Sequence, residues 1–165
     1  MLSVMAVFKP TYLIDGDLTD VDLDQLYADG IKGIILDLDS TLVAPKSGKL
    51  TPEAAQWLEK ARLKFKLAVV SNNKNEPYMQ QVQTLLNMPV LGKARKPSTK
   101  VFVQVIKDLE LTASECVAVG DRPLTDVWGG QRAGMKTALV FPLKTMNEPS
   151  WVTFFRKLER CFIKT

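Results

Sequence analysis

Five short apolar runs set the limits on how this chain can fold. They are Ile34–Leu36 with Ile31 just upstream, Leu67–Val70, Pro89–Leu91, Cys116–Val119 and Thr137–Phe141. Each is too short for a buried helix and is bounded by Gly or polar residues, so each reads as a strand covered on both faces. Helical signals fill the gaps. Asp22 to Ala28 ends at Asp29-Gly30, where Gly takes the left-handed turn that stops a helix. Thr51-Pro52-Glu53 supplies an N-cap, a first-position proline and a first-turn acid to a helix running to about Lys64. Glu76 to Leu86 forms the next helix. Ser98 is placed to cap another, in which Val101, Phe102, Val105, Ile106 and Leu109 make one buried stripe. A last helix spans about Leu124 to Ala133. Parallel strands need such crossovers, so the alternation predicts an α/β fold: a three-layer α/β/α sandwich around a five-stranded parallel sheet.

With 165 residues, 46% hydrophobic and 24% charged, the chain is expected to form one domain over 1–165, with a lead-in over 1–30. There is no histidine, which removes Ser-His-Asp triads, His-ligated zinc and phosphohistidine chemistry. Acid/base work falls to carboxylates or lysines. Two cysteines, Cys116 and Cys161, are too few for a disulfide framework and fit a reducing compartment. The excess of 22 Lys+Arg over 18 Asp+Glu suits an anionic partner.

In parallel sheets ligands bind beyond the carboxyl ends of the strands, and four polar clusters stand at or just beyond such ends. The first strand runs into Asp37 and Asp39, which the two-residue period of a strand projects to one side. Two carboxylates that close repel unless a cation or a proton intervenes. The other clusters are Ser71-Asn72, Lys96, and Asp121 with Asp126. Any one alone reads equally well as a cap or a loop residue.

Together the clusters resemble the ordered motifs of the haloacid dehalogenase (HAD) superfamily. Asp37-Leu38-Asp39-Ser40-Thr41 is similar to its DxDx[TV] signature, Ser71 to the small hydroxyl residue ending the second strand, Lys96 to the lysine before a helix, and Gly120 to Asp126 to GDxxxxD. The resemblance implies a Rossmannoid sheet of strand order 5-4-1-2-3 and a Mg2+-dependent phosphatase. It makes Asp37 the nucleophile and Asp39 the general acid/base. Asp37, Asp121, the Asp39 carbonyl and, directly or through water, Asp126 become the metal site, with Ser71, Asn72 and Lys96 around the phosphoryl oxygens. Oxygen ligands without His or Cys suit Mg2+. Roughly 29 residues between Thr41 and Ser71, and about 24 between Ser71 and Lys96, leave no room for a cap domain.

The lead-in from Pro10 to Leu26, Gly30-Ile31-Lys32-Gly33 and the block from Gly120 to Gly130 further resemble the YqeG-like phosphatases, which include phosphatidylglycerophosphate phosphatases. That implies an anionic lipid substrate; a soluble phosphorylated metabolite and a nucleic-acid 3'-phosphate are the alternatives. No aromatic stacking platform accompanies Lys93 to Lys96, which argues against nucleic acid. A receiver-like phosphoacceptor domain would use similar groups but needs no Asp39, and the C-x5-R spacing of Cys116 to Arg122 fits cysteine phosphatases only if a loop follows the thiol. An uncapped site is closed by a bulky substrate or by oligomer contacts. Over 148–165, Trp151, Phe154, Phe155, Leu158 and Phe162 form an aromatic face among Arg156, Lys157, Arg160 and Lys164. This helix either lies on an anionic membrane or packs on its own domain. No stretch is long enough to span a bilayer, and the start of the chain lacks a signal-peptide core. The expectation is a cytoplasmic protein with peripheral membrane contact.

Overall fold

The computed structural model describes residues 9–45 and 47–143. The aromatic C-terminal segment therefore lies outside the described residues. The elements, in chain order, are β1 (Tyr12–Leu13), α1 (Leu23–Ala28), β2 (Gly33–Leu36), α2 (Pro52–Arg62), β3 (Lys66–Val70) and α3 (Glu76–Leu86). They continue with β4 (Val90–Leu91), α4 (Lys100–Asp108), β5 (Cys116–Gly120), α5 (Trp128–Arg132) and β6 (Lys136–Leu139).

All strand pairs are parallel, in the order β1-β6-β5-β2-β3-β4. The five expected strands thus stand in the expected order. The sheet has six strands, not five, because β1 adds an outer edge to β6. Two residues are too few to show an alternating pattern. What holds β1 in place is tertiary: the Thr11 N–H donates to Thr137 Oγ1 and the Thr137 N–H to Thr11 Oγ1, at 3.3 and 3.1 Å.

Side-chain alternation splits the sheet between two cores. Ile34, Leu36, Leu67, Val69, Val117 and Val119 face α2 and α3, meeting Trp57, Leu58, Ala61, Val82 and Leu86. Ile35, Ala68, Val70, Cys116 and Ala118 face the other way, onto Phe102, Val105 and Ile106 of α4, Leu109 just past its end, and Met135. Ile34, Ile35 and Leu36 are fully enclosed, each burial worth roughly 1.5–3 kcal/mol. The lead-in is tied down where Trp57 Nε1 donates to the Val21 carbonyl at 3.1 Å.

Helix ends follow the local chemistry with two departures. The Thr51 hydroxyl accepts the Ala54 N–H, Asn75 accepts that of Tyr78, and Gly30 is left-handed at φ +80°. Thr99 rather than Ser98 precedes α4, and it makes no side-chain cap bond. The expected helix from Leu124 to Ala133 begins instead as a wide π turn over Pro123–Val127 and becomes α-helical only at Trp128. There the Arg122 carbonyl takes both the Asp126 and Val127 N–H groups, at 2.9 and 3.4 Å.

The chain crosses the sheet one way through α2 and α3 and returns through α4 and α5. Strands β2, β3 and β5 therefore end side by side at the switch point, with Leu36 level with both Val69 and Val119.

Candidate active site

Beyond Leu36 the chain stays in the sheet for one more residue, the Asp37 N–H donating to the Val119 carbonyl at 2.9 Å. It then turns sharply. The Leu38 carbonyl collects the N–H groups of Thr41, Leu42 and Val43, and Ser40 is held at φ +72° between the Val43 carbonyl and the Leu143 N–H. A buried non-glycine residue in that conformation needs its surroundings to fix it, and here both of its backbone groups are bound.

The turn sends the two aspartates to different partners. The Asp37 carboxylate meets Lys96 Nζ at 2.5 Å, and Lys96 reaches on to Asp126 at 2.6 Å. Oxygens of Asp37, Asp121 and Asp126 lie within 4.8 Å of one another. The Thr41 hydroxyl bridges this group, 3.1 Å from Asp121 Oδ1 and 3.4 Å from Asp37 Oδ2. Asp39 turns to α3 instead, where it accepts from Asn73 Nδ2 at 3.2 Å and Tyr78 Oη at 3.0 Å.

Each member of the cluster is aimed by its local backbone. Asp126 folds back over the end of β5, its Oδ2 accepting the Arg122 N–H at 3.1 Å. Gly120 makes that possible: a Cβ there would stand 2.3 Å from the Asp126 carboxyl. Lys96 is fixed through its own peptide. Its N–H donates to Asn72 Oδ1 at 2.6 Å and its carbonyl accepts Asn72 Nδ2 at 3.3 Å. The Asn72 side chain is thus placed on Lys96, while the buried Ser71 hydroxyl accepts the Asn73 N–H at 3.1 Å.

The electrostatics are lopsided. Burial pushes the Asp37 carboxyl up to about 7, with Asp126 and Asp121 adding to the rise and Lys96 opposing it. Burial alone would depress the Lys96 ammonium, but the charges of Asp126 and Asp37 outweigh it and hold its pKa above the ordinary lysine value. Three carboxylates face one ammonium in a site where Asp121, Asp126 and Lys96 are all buried. Crowding of that many carboxylates disfavours their ionised forms, and a hard divalent cation fits this oxygen-only donor set.

Cys116 opens β5 beside Gly33, at the opposite end of the sheet from Asp37. At ~3.3 Å per residue that is roughly 13 Å away. The thiol is buried, which pushes it up to about 11, and an apolar strand, not a loop, follows it. A thiolate phosphatase site does not exist here.

The pair of acids leaving the central strand, and the lysine returning to them from beyond β4, define the class of protein: a HAD-type phosphatase. The sequence pattern of the HAD-hydrolase-like family matches residues 93–146. The fold matches that of a HAD phosphatase from Thermococcus onnurineus, with a TM-score of 0.58 at 16% identity, over 72% of this chain and 89% of that one. Within the class, the chain belongs to the YqeG-like phosphatase family. It is 39% identical over 139 residues to the "Probable phosphatase YqeG" of Bacillus subtilis strain 168, covering 83% of this chain and 79% of that protein. It is also 32% identical over 157 residues to "Phosphatidylglycerophosphate phosphatase 1, chloroplastic/mitochondrial" of Arabidopsis thaliana. That match takes in 90% of this chain but spans only 45% of the plant protein's length.

Four site residues thus meet around one point, Asp37, Asp121, Asp126 and Lys96, while Ser71 follows the end of β3 and its hydroxyl is turned to the Asn73 N–H. Thr41, Asn73, Tyr78 and Gly120 also shape the site. Sequence reasoning gave none of them a role, although Thr41 and Gly120 lie inside the quoted motifs.

Proposed function

We propose that this phosphatase removes the phosphomonoester of phosphatidylglycerophosphate through a Mg2+-dependent aspartyl-phosphate mechanism. The meeting of three carboxylates with one buried lysine carries the chemical part of the reading. The name of the Arabidopsis relative supports the lipid part.

Side chains of Asp37 and Asp121 and the backbone carbonyl of Asp39 would hold Mg2+. Asp126, whose oxygens already take Lys96 and the Arg122 N–H, would contribute through water or by orientation. When bound, the ion offsets the charge of Asp37 and of the phosphoryl group, so that two anions can approach. The protein does the rest. Lys96, the Ser71 hydroxyl and the Asn72 backbone N–H receive the phosphoryl oxygens, the Ser71 N–H being held in the sheet by the Leu91 carbonyl. Asp37 attacks phosphorus in line, and the bond to the leaving oxygen breaks as Asp39 protonates that oxygen. Asp39, now ionised, takes a proton from the water that attacks phosphorus and frees Asp37 and inorganic phosphate.

The site needs no lid of its own. Between Thr41 and Ser71 the chain builds α2 and β3, and between Ser71 and Lys96 only α3 and β4. A diacylglycerol-bearing substrate would exclude water with its own body. No helix among the described residues is long and apolar enough to cross a membrane; a lipid headgroup would be met at a membrane surface.

Phosphate release from phosphatidylglycerophosphate in mixed micelles, set beside soluble sugar phosphates and a 3'-phosphorylated oligonucleotide, tests the reading. Preference for the lipid, abolished by chelation, is expected. Preference for a soluble ester would overturn the substrate and leave the reaction class standing.

A further inference from the structure

The run from Ser71 to Tyr78 forms a hydrogen-bonded stair from the end of β3 into α3. Ser71 Oγ accepts the Asn73 N–H at 3.1 Å, Asn73 Oδ1 accepts the Asn75 N–H at 2.9 Å, and Asn75 Oδ1 accepts the Tyr78 N–H at 3.1 Å. Each step is a local side-chain-to-backbone bond of the kind Ser and Asn make where a chain leaves a strand. Two of the side chains so fixed converge on one target. Tyr78 Oη donates to Asp39 Oδ1 at 3.0 Å, and Asn73 Nδ2 donates to Asp39 Oδ2 at 3.2 Å.

We propose that Tyr78 and Asn73 are positioning residues that set the orientation of the Asp39 carboxyl for proton transfer to the leaving oxygen. This rests on the general-acid reading of Asp39 given above.

One donor on each oxygen fixes both the direction and the plane of a carboxylate, which a single hydrogen bond would leave free to pivot. The Tyr78 anchor is itself held from both sides. Its amide is bonded to Asn75, and its ring lies under the left-handed Gly48, where a Cβ would stand 3.3 Å from Cε2. A proton donor works only within about 2.6–3.2 Å of its acceptor, and misplacement by about 1 Å can cost on the order of 100-fold.

Positioning of an acid predicts a signature that loss of structure does not share. Help from an acid matters most when the leaving oxygen is strongly basic and least when it departs readily as an anion. The test compares kcat/KM of the Mg2+-loaded full chain on phenyl phosphate and on p-nitrophenyl phosphate, for wild type, Tyr78→Phe, Asn73→Ala and Asp39→Asn. Thermal midpoints are measured alongside. Tyr78→Phe keeps the ring and removes only the hydroxyl. It is expected to lose roughly 10- to 100-fold on phenyl phosphate and less than about 3-fold on p-nitrophenyl phosphate. Asn73→Ala shifts the same way, giving an independent reading should Tyr78→Phe fold poorly. Asp39→Asn gives the largest discrimination. Equal losses on both esters, or none on either, in the Tyr78 and Asn73 variants would overturn the proposal. If Asp39→Asn itself shows no discrimination, the acid assignment fails and the positioning role falls with it. Discrimination in Asp39→Asn alone defeats positioning and spares the acid.

Discussion

The buried carboxylates at the ends of β2 and β5 make the metal-free protein sensitive to pH through Asp37. Asp37 has an ordinary carboxyl value of 3.8 and a folded-state value of about 7, raised by burial first. Its folded pKa lies above its unfolded one, so its contribution to stability is complete below about pH 4 and is lost as pH rises through about 7. Raising the carboxyl from 3.8 to about 7 corresponds to about 4 kcal/mol. Asp37→Asn mimics the protonated acid and cannot ionise. In chelator, wild type and Asp37→Asn should therefore unfold at similar urea concentrations near pH 4, with the variant more stable by up to about 4 kcal/mol at pH 8. Saturating Mg2+ should close that gap from the wild-type side, since a ligand that binds only the folded state stabilises it. A stability difference that stays constant from pH 4 to 8 in chelator, or a variant weaker than wild type at pH 8, would refute the charge accounting.

Other changes probe the same arrangement from different sides. Lys96→Met leaves Asp37 and Asp126 buried without their ammonium partner; urea unfolding at pH 8 in chelator should show a loss of about 3–5 kcal/mol. Gly120→Ala puts a methyl group 2.3 Å from the Asp126 carboxyl, so the fold should persist by circular dichroism while Mg2+ affinity or turnover drops ~10–100-fold. Cys116→Ala removes a thiol at the far end of β5 and should leave kcat within about twofold of wild type, whereas a loss comparable to that of Asp37→Asn would return a cysteine mechanism to consideration.

The sheet could be read from the sequence because its signals are local. Apolar runs such as Leu67–Val70 and caps such as Thr51-Pro52 record contacts made within a few residues, and the observed β3 and α2 start within a residue of the expected positions. β1 carries no such record, because its place is fixed by Thr137, more than 120 residues away. The start of α5 was hidden for a related reason. Asp126 must fold over Gly120 to reach Lys96, and the backbone widens into a π turn to let it.

The same division runs through the site. Asp37, Lys96, Asp121 and Asp126 stand at or beyond strand ends in an order that the HAD resemblance made readable. Asn72 was placed with the phosphate group, yet its side-chain amide is bound to the Lys96 peptide. Spacing puts a residue near a strand end without saying which neighbour its amide will find. Tyr78 escaped notice because a tyrosine early in an amphipathic helix looks like a packing residue. Only the packed structure brings its hydroxyl to Asp39, 39 residues earlier in the chain.

The central claim is that Asp37 becomes covalently phosphorylated during turnover. Rapid mixing of the Mg2+-loaded enzyme with excess substrate, followed by acid quench, proteolysis and mass spectrometry, addresses it directly. A transient phosphoryl group on Asp37, absent without Mg2+ and absent in Asp37→Asn, is the predicted result. Full turnover by Asp37→Asn, or a phosphoryl group found on another residue, would contradict it.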